Sequence, residues 1–124
     1  MQSKLRLVIR SVDNMGKAVR FYSEVLDLCL RSQSSDWTEF GTGDTILALH
    51  PASAVFPAGS TELYFIVDDV HKFYEQAKRR GVEFVTPPAR QPWGTTVEML
   101  DSEGQRCSVG TPERRTGPPG QSNS

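Results

Sequence analysis

The sequence predicts an α+β protein built from two βαβββ modules, and three observations predict it. Short apolar runs of strand length alternate with only two helix-like stretches. The order of these elements is the same in both halves of the chain. Finally, "SVDN…FY" in the first half is answered by "IVDD…FY" in the second, with three extra residues before the first Phe-Tyr pair. One supersecondary unit used twice accounts for all three.

The first run, "LRLVIRSV", reads as a strand whose polar alternation at Arg6 and Arg10 is only partial. "DNMGKAVRFYSEVLDL" follows as a helix, with Asp13 as N-cap and Met15, Val19, Tyr22 and Leu26 on one face. Strands are expected at "CLRSQ", "DWTEFGTG" and "TILALH", with "GTGD" turning the chain between the last two. From Ser60 the order repeats. "ELYFIV" is a strand. "DDVHKFYEQAKRRG" is a helix with an Asp N-cap, basic residues in its last turn and Gly81 just past its end. "VEFVTPP", "GTTVEML" and "QRCSVG" complete the second module. Module one is expected over about 4–51 and module two over about 60–110, within one domain of residues 1–110. "TPERRTGPPGQSNS", residues 111–124, has no hydrophobic period and is rich in Pro, Gly and Ser, so a flexible tail is expected there.

Composition narrows the function classes. At 124 residues, 37% hydrophobic and 23% charged, the chain has the make-up of one globular domain. A chain of this size buries roughly two-thirds of its unfolded surface, which is enough for a core without staples. The net charge is −1 with both signs interspersed, so no basic stripe points to nucleic acid. No segment approaches the ~18 apolar residues of a membrane span, and the N-terminus lacks a signal-peptide core. A cytoplasmic location is expected. Cys29 and Cys107 lie far apart with no zinc-type spacing, which reads as two reduced, buried thiols.

The stretches "VDNMGKAVRFYSEVLDL", "VDDVHKFYEQAKRRGVEF" and "PWGTTVEMLDSEGQRCSV" resemble the vicinal oxygen chelate superfamily. That superfamily includes glyoxalase I, fosfomycin resistance proteins, extradiol dioxygenases and bleomycin resistance proteins. The resemblance covers residues 5–110. It implies that each module curls into half of a partly open, barrel-like sheet with helices outside and a cavity within, and that two chains pair as a homodimer. It also implies, in the metalloenzymes, one divalent ion held by a residue from the first and the last strand of each module.

Carried over, those positions fall near Leu7, on Glu62, near Ala48 and on Ser108. Leu7 and Ala48 cannot coordinate, and a useful site needs about three oxygen or imidazole ligands. His50 shares the face of Ala48 if its strand continues, which restores one imidazole at most. No metal and no cofactor are therefore expected. Without a Lewis acid no catalytic residue is assigned, although Glu62 assisted by His50 remains a candidate for cofactor-free proton transfer. His71 sits at a helix start and reads as solvated.

The metal-free branch of the family binds a drug and withholds it from its target. Such a pocket needs aromatic faces and a few orienting polar groups. Trp37 and Glu39 are two apart on one strand and share a face; Glu62, Tyr64 and Ile66 do likewise, with Leu63 and Phe65 turned to the helices. Trp93 lies in a Pro/Gly-bounded loop, at a cavity rim or a dimer contact. Glu39 and Glu62 together favour a cationic ligand, while Arg6, Arg10 and Arg90 leave an anionic one open. The expected ligand-binding set is Trp37, Glu39, His50, Glu62, Tyr64 and Trp93. The function expected is metal-free binding of a small molecule, such as an aromatic or cationic antibiotic. The alternatives are a divalent-metal lyase, isomerase or dioxygenase, the Glu62 acid/base enzyme, and a partner protein with a vestigial pocket.

Overall fold

A computed structural model describes residues 3–112. The described residues divide into two compact units, Arg6–Glu62 and residues 63–112 together with residues 3–5. They are called the N-terminal and C-terminal units below.

The N-terminal unit holds β1 (Lys4–Val12, whose first two residues belong to the other unit), α1 (Met15–Arg20), β2 (Cys29–Gln33), β3 (Thr38–Gly41) and β4 (Ile46–Pro51). Its strands lie in the order β2-β3-β4-β1. β1 runs parallel to β4, while β2–β3 and β3–β4 are antiparallel. The C-terminal unit repeats the plan with β5 (Thr61–Ile66, whose first two residues belong to the other unit), α2 (Val70–Arg79), β6 (Phe84–Gln91), β7 (Gly94–Leu100) and β8 (Arg106–Pro112). Its order is β5-β8-β7-β6, with β5 parallel to β8. Each unit is thus a four-stranded mixed sheet with one helix as the crossover between its parallel strands, an α+β βαβββ motif.

Each helix starts where a short polar side chain takes up a free backbone N–H. Asp69 accepts from the Lys72 N–H at 3.1 Å and caps α2. On α1 the cap is Asn14, accepting from the Lys17 N–H at 2.9 Å, and not Asp13. Asn14 is the residue directly before the first helical turn, so Asp13 stands one position too early to reach it.

The three extra residues of the first module also break the expected helix face. After Arg20 the helix widens into π-helical turns over Phe21–Val25. The wider i→i+5 spacing shifts the phase of everything beyond it. Met15, Val19 and Tyr22 still pack inward with Phe40 and Leu49. Leu26 is turned out, 52% exposed, and Leu28 takes its place against the core. Cys29, expected to be buried, is exposed on the edge strand β2, while Cys107 is buried. In the C-terminal unit the regular α2 covers Val67, Val70, Val97 and Val109, with Phe65, Phe73, Tyr74, Phe84 and Met99 around them.

The strand boundaries differ from the expected ones most at β3, β6 and β8. β3 is Thr38–Gly41, shorter by two residues at each end than "DWTEFGTG". β6 begins two residues later than "VEFVTPP" and runs through Pro87 and Pro88. It lies at the edge of its sheet, where a proline without an N–H costs little, and its register shifts across the prolines. β8 continues past Gly110, because Thr111 and Pro112 pair with Thr95 and Gly94. The Thr111 hydroxyl also donates to the Val67 carbonyl and accepts from the Val70 N–H, tying the strand to the start of α2. The rest of the expected tail, from 113, lies outside the described residues. Among the described residues no helix is long and apolar enough to cross a membrane.

Candidate functional site

Strand alternation gives each sheet a helix side and an opposite side. In the N-terminal unit the helix side carries Phe40, Leu47 and Leu49. The opposite side therefore carries Glu39 on β3 and Ile46, Ala48 and His50 on β4, with Leu7, Ile9 and Ser11 alongside on β1. β4 does continue through His50, which keeps the imidazole on the face of Ala48. Arg10, paired with Leu49, falls on the helix side, and by the same alternation so does Arg6. Neither reaches the opposite face.

Trp37 is delivered by a tight turn. The Ser34 hydroxyl accepts from the Trp37 and Asp36 N–H groups and donates to the Trp37 carbonyl, while the Ser34 N–H donates to that same carbonyl. The indole Nε1–H then donates to Glu39 Oε2 at 2.8 Å. The indole and imidazole meet edge to face, with centroids 6.0 Å apart at 73°. His50 Nδ1 lies 2.9 Å from the Pro51 carbonyl oxygen. A carbonyl only accepts, so in this contact Nδ1 is the donor.

The structure thus brings Trp37, Glu39 and His50 together. Their roles are not equal, because Glu39 is 0% exposed while Trp37 is half-buried and His50 exposed. A ligand meets the two rings first. The carboxylate acts from behind, fixing the indole rotamer and placing negative charge behind the aromatic wall. A carboxylate shut off from water is costly unless hydrogen-bonded, and the indole supplies one such bond.

The other predicted residues stand elsewhere. Glu62 and Tyr64 are half-buried on β5 and share a face opposite Leu63 and Phe65. The Tyr64 hydroxyl lies over Gly110, filling the space a side chain would take there. Trp93 is half-buried in the two-residue turn joining β6 to β7. A groove of about 590 Å³ at the end of α2, lined by Arg80, Val82, Glu83, Met99 and Asp101, includes none of the predicted residues.

Two residues that strand alternation passes over belong to the Trp37–His50 face. A β-bulge between Leu30 and Ser32 sets Ser32 opposite Glu39. The Arg31 stem lies across the side-chain position of Gly41, two residues along from Glu39, with Cδ 3.1 Å from where a Cβ would stand. Bulges aim two successive side chains to one face, and nothing in "CLRSQ" announces this one.

The donor set does not fit a divalent metal. Leu7 and Ala48, at two of the positions where the family places ligands, are aliphatic and at most 2% exposed. Among the described residues no three of His, Cys, Asp and Glu converge on one point.

Residues 4–109 match the model of the Glyoxalase/Bleomycin resistance protein/Dioxygenase superfamily. The chain belongs to this superfamily. An uncharacterized protein of Bacillus subtilis strain 168, YetH, is 27% identical over an alignment covering 75% of this chain and 85% of YetH. Solved structures share the fold at lower identity. A hypothetical protein of Bacillus halodurans C-125 is 12% identical, with TM-score 0.74 over 95% of this chain and all (100%) of its own. A Streptomyces coelicolor methylmalonyl-CoA epimerase in complex with 2-nitronate-propionyl-CoA is 13% identical, with TM-score 0.71 over 93% of this chain and 98% of the other.

Proposed function

We propose that this superfamily member binds an aromatic or cationic small molecule against Trp37 and His50, without a metal ion, and withholds it, as a resistance protein would. The observation that carries this reading is the Trp37–Glu39 hydrogen bond of 2.8 Å. It holds a large aromatic face in one orientation beside an exposed imidazole and backs that face with a buried charge. An aromatic wall with negative charge behind it attracts planar cations.

The test is thermal unfolding of metal-stripped protein against planar cationic drugs and, separately, nickel, zinc, manganese and iron. Binding to the folded state raises stability by mass action, about 2.7 kcal/mol at a hundredfold excess over Kd. Stabilisation by drugs, reduced in Trp37→Leu and Glu39→Gln, is expected. Stabilisation by one metal and by no drug would replace this reading with a metalloenzyme.

We also propose a homodimer. Phe21, Val25, Leu26 and Leu30 are 51%, 66%, 52% and 43% exposed, on the π-helical turns and the edge strand β2. Large apolar side chains grouped this way call for a cover. Sedimentation at micromolar concentration should give twice the chain mass, and Val25→Glu with Leu26→Glu should return it to one. A monomer in the unmodified protein would refute the pairing.

A further inference from the structure

The bulge on β2 gives the Trp37–His50 face a positive corner. Arg31 is exposed, its stem rests on Gly41, and its guanidinium has no ion pair among the described residues. Ser32, opposite Glu39, has a hydroxyl that is shut off from water and finds no hydrogen-bond partner among the described residues. Both sit on the side of the sheet that carries Trp37, Glu39 and His50. Had β2 kept regular alternation, Arg31 and Ser32 would point to opposite sides.

An arginine on an edge strand also discourages edge-to-edge pairing, and that role alone would be served on either face. The bulge instead lays the arginine stem over Gly41, on the face that carries the aromatic wall and the unused hydrogen-bonding capacity of the Ser32 hydroxyl. An orphaned buried hydroxyl costs on the order of 1–3 kcal/mol, and such groups call for an explanation.

We infer that Arg31, with Ser32, receives the anionic end of the ligand whose aromatic body lies on Trp37. The ligand class is then an aromatic carboxylate, best as a zwitterion with its cationic end at the Trp37–Glu39 wall. This rests on the binding reading above and adds the second charge. Gly41 lies four residues beyond Trp37. Four residues of extended strand span about 13 Å, so a ligand of about two linked rings bridges the indole and the arginine stem. A planar fork of donors suits a carboxylate, which it can grip with two parallel bonds.

The test is titration calorimetry on the full, EDTA-treated chain with three matched probes: biphenyl methylamine, biphenyl carboxylate and aminomethyl-biphenyl carboxylate. Both carboxylates should bind, the zwitterion more tightly. Arg31→Gln should weaken both about tenfold or more, as expected for a lost charge-assisted bond, and leave the methylamine within twofold. Arg31→Lys should restore part of the loss, and Ser32→Ala should weaken the carboxylates alone. Equal carboxylate affinity in the unmodified chain and Arg31→Gln would overturn the inference. Binding of the methylamine but of neither carboxylate would overturn it while preserving the binding reading. Heat from none of the three would overturn both.

Discussion

In the C-terminal unit the sheet face away from the helix is closed by its own residues. Tyr64 lays its hydroxyl over Gly110, and Arg106 donates to Glu98 at 2.7 Å. In the N-terminal unit the same face is left chemically open. Its carboxylate is buried, its indole half-exposed, one hydroxyl lacks a partner among the described residues, and one guanidinium has no ion pair there. The two units follow one βαβββ path, so the backbone plan does not decide this. The side chains do, and they place the candidate ligand face in the N-terminal unit. A fold can host many functions, and the site must be argued from its own residues.

The glycines of the two faces give the largest test of this contrast. At Gly110 a Cβ would collide with the Tyr64 hydroxyl and stand 2.9 Å from Thr96 Cγ2 and 3.0 Å from the Thr95 carbonyl oxygen, which is backbone and cannot move aside. Gly110→Val should therefore cost about 3 kcal/mol in urea unfolding, the upper range for overpacking. At Gly41 the only close neighbour among the described residues is the flexible Arg31 stem. Gly41→Val should cost less than about 1 kcal/mol, since a surface stem can swing away. Tyr64→Phe in a Gly110→Ala background should recover part of the loss. Equal costs at the two glycines would mean that the faces are packed alike and the contrast is wrong.

How far this was legible in the sequence follows from what sets each feature. The two modules were legible because hydrophobic period, caps and turns are local signals. Asp69 and Gly81 mark the ends of α2 in the sequence, and Gly81 indeed has φ of +88°. The pairing of Trp37 with Glu39 was legible from their spacing alone. The burial of Glu39 was not, because a residue at a strand end reads the same whether water or protein covers it. The phase shift after Arg20 was hidden because π-helical turns have no compositional mark; the three-residue excess was its only trace. Arg31 was missed for a related reason: a bulge is a property of a strand pair, and one strand's sequence does not contain it. Tyr64 was placed on the correct face by alternation, but its engagement with Gly110 depends on a residue 46 positions away.

The smallest expected effect sharpens the comparison between the two acids. Glu98 and Arg106 are 22% and 37% exposed, a partly solvated pair on neighbouring strands. Water screens such a pair, so Glu98→Gln should cost only about 0.5 kcal/mol in urea unfolding. The loss should shrink further in salt, as the attraction is screened. Glu39→Gln should behave differently. The amide keeps the shape of the side chain and still accepts the Trp37 indole N–H, so the indole should hold its place and its fluorescence should stay unchanged. Affinity for cationic probes should fall. A residue whose replacement lowers cation affinity while the indole stays in place is serving the ligand, whereas one whose replacement only weakens the fold is serving the sheet. If Glu39→Gln lost stability like Glu98→Gln and left cation affinity unchanged, Glu39 would be structural and the two faces would differ only in burial.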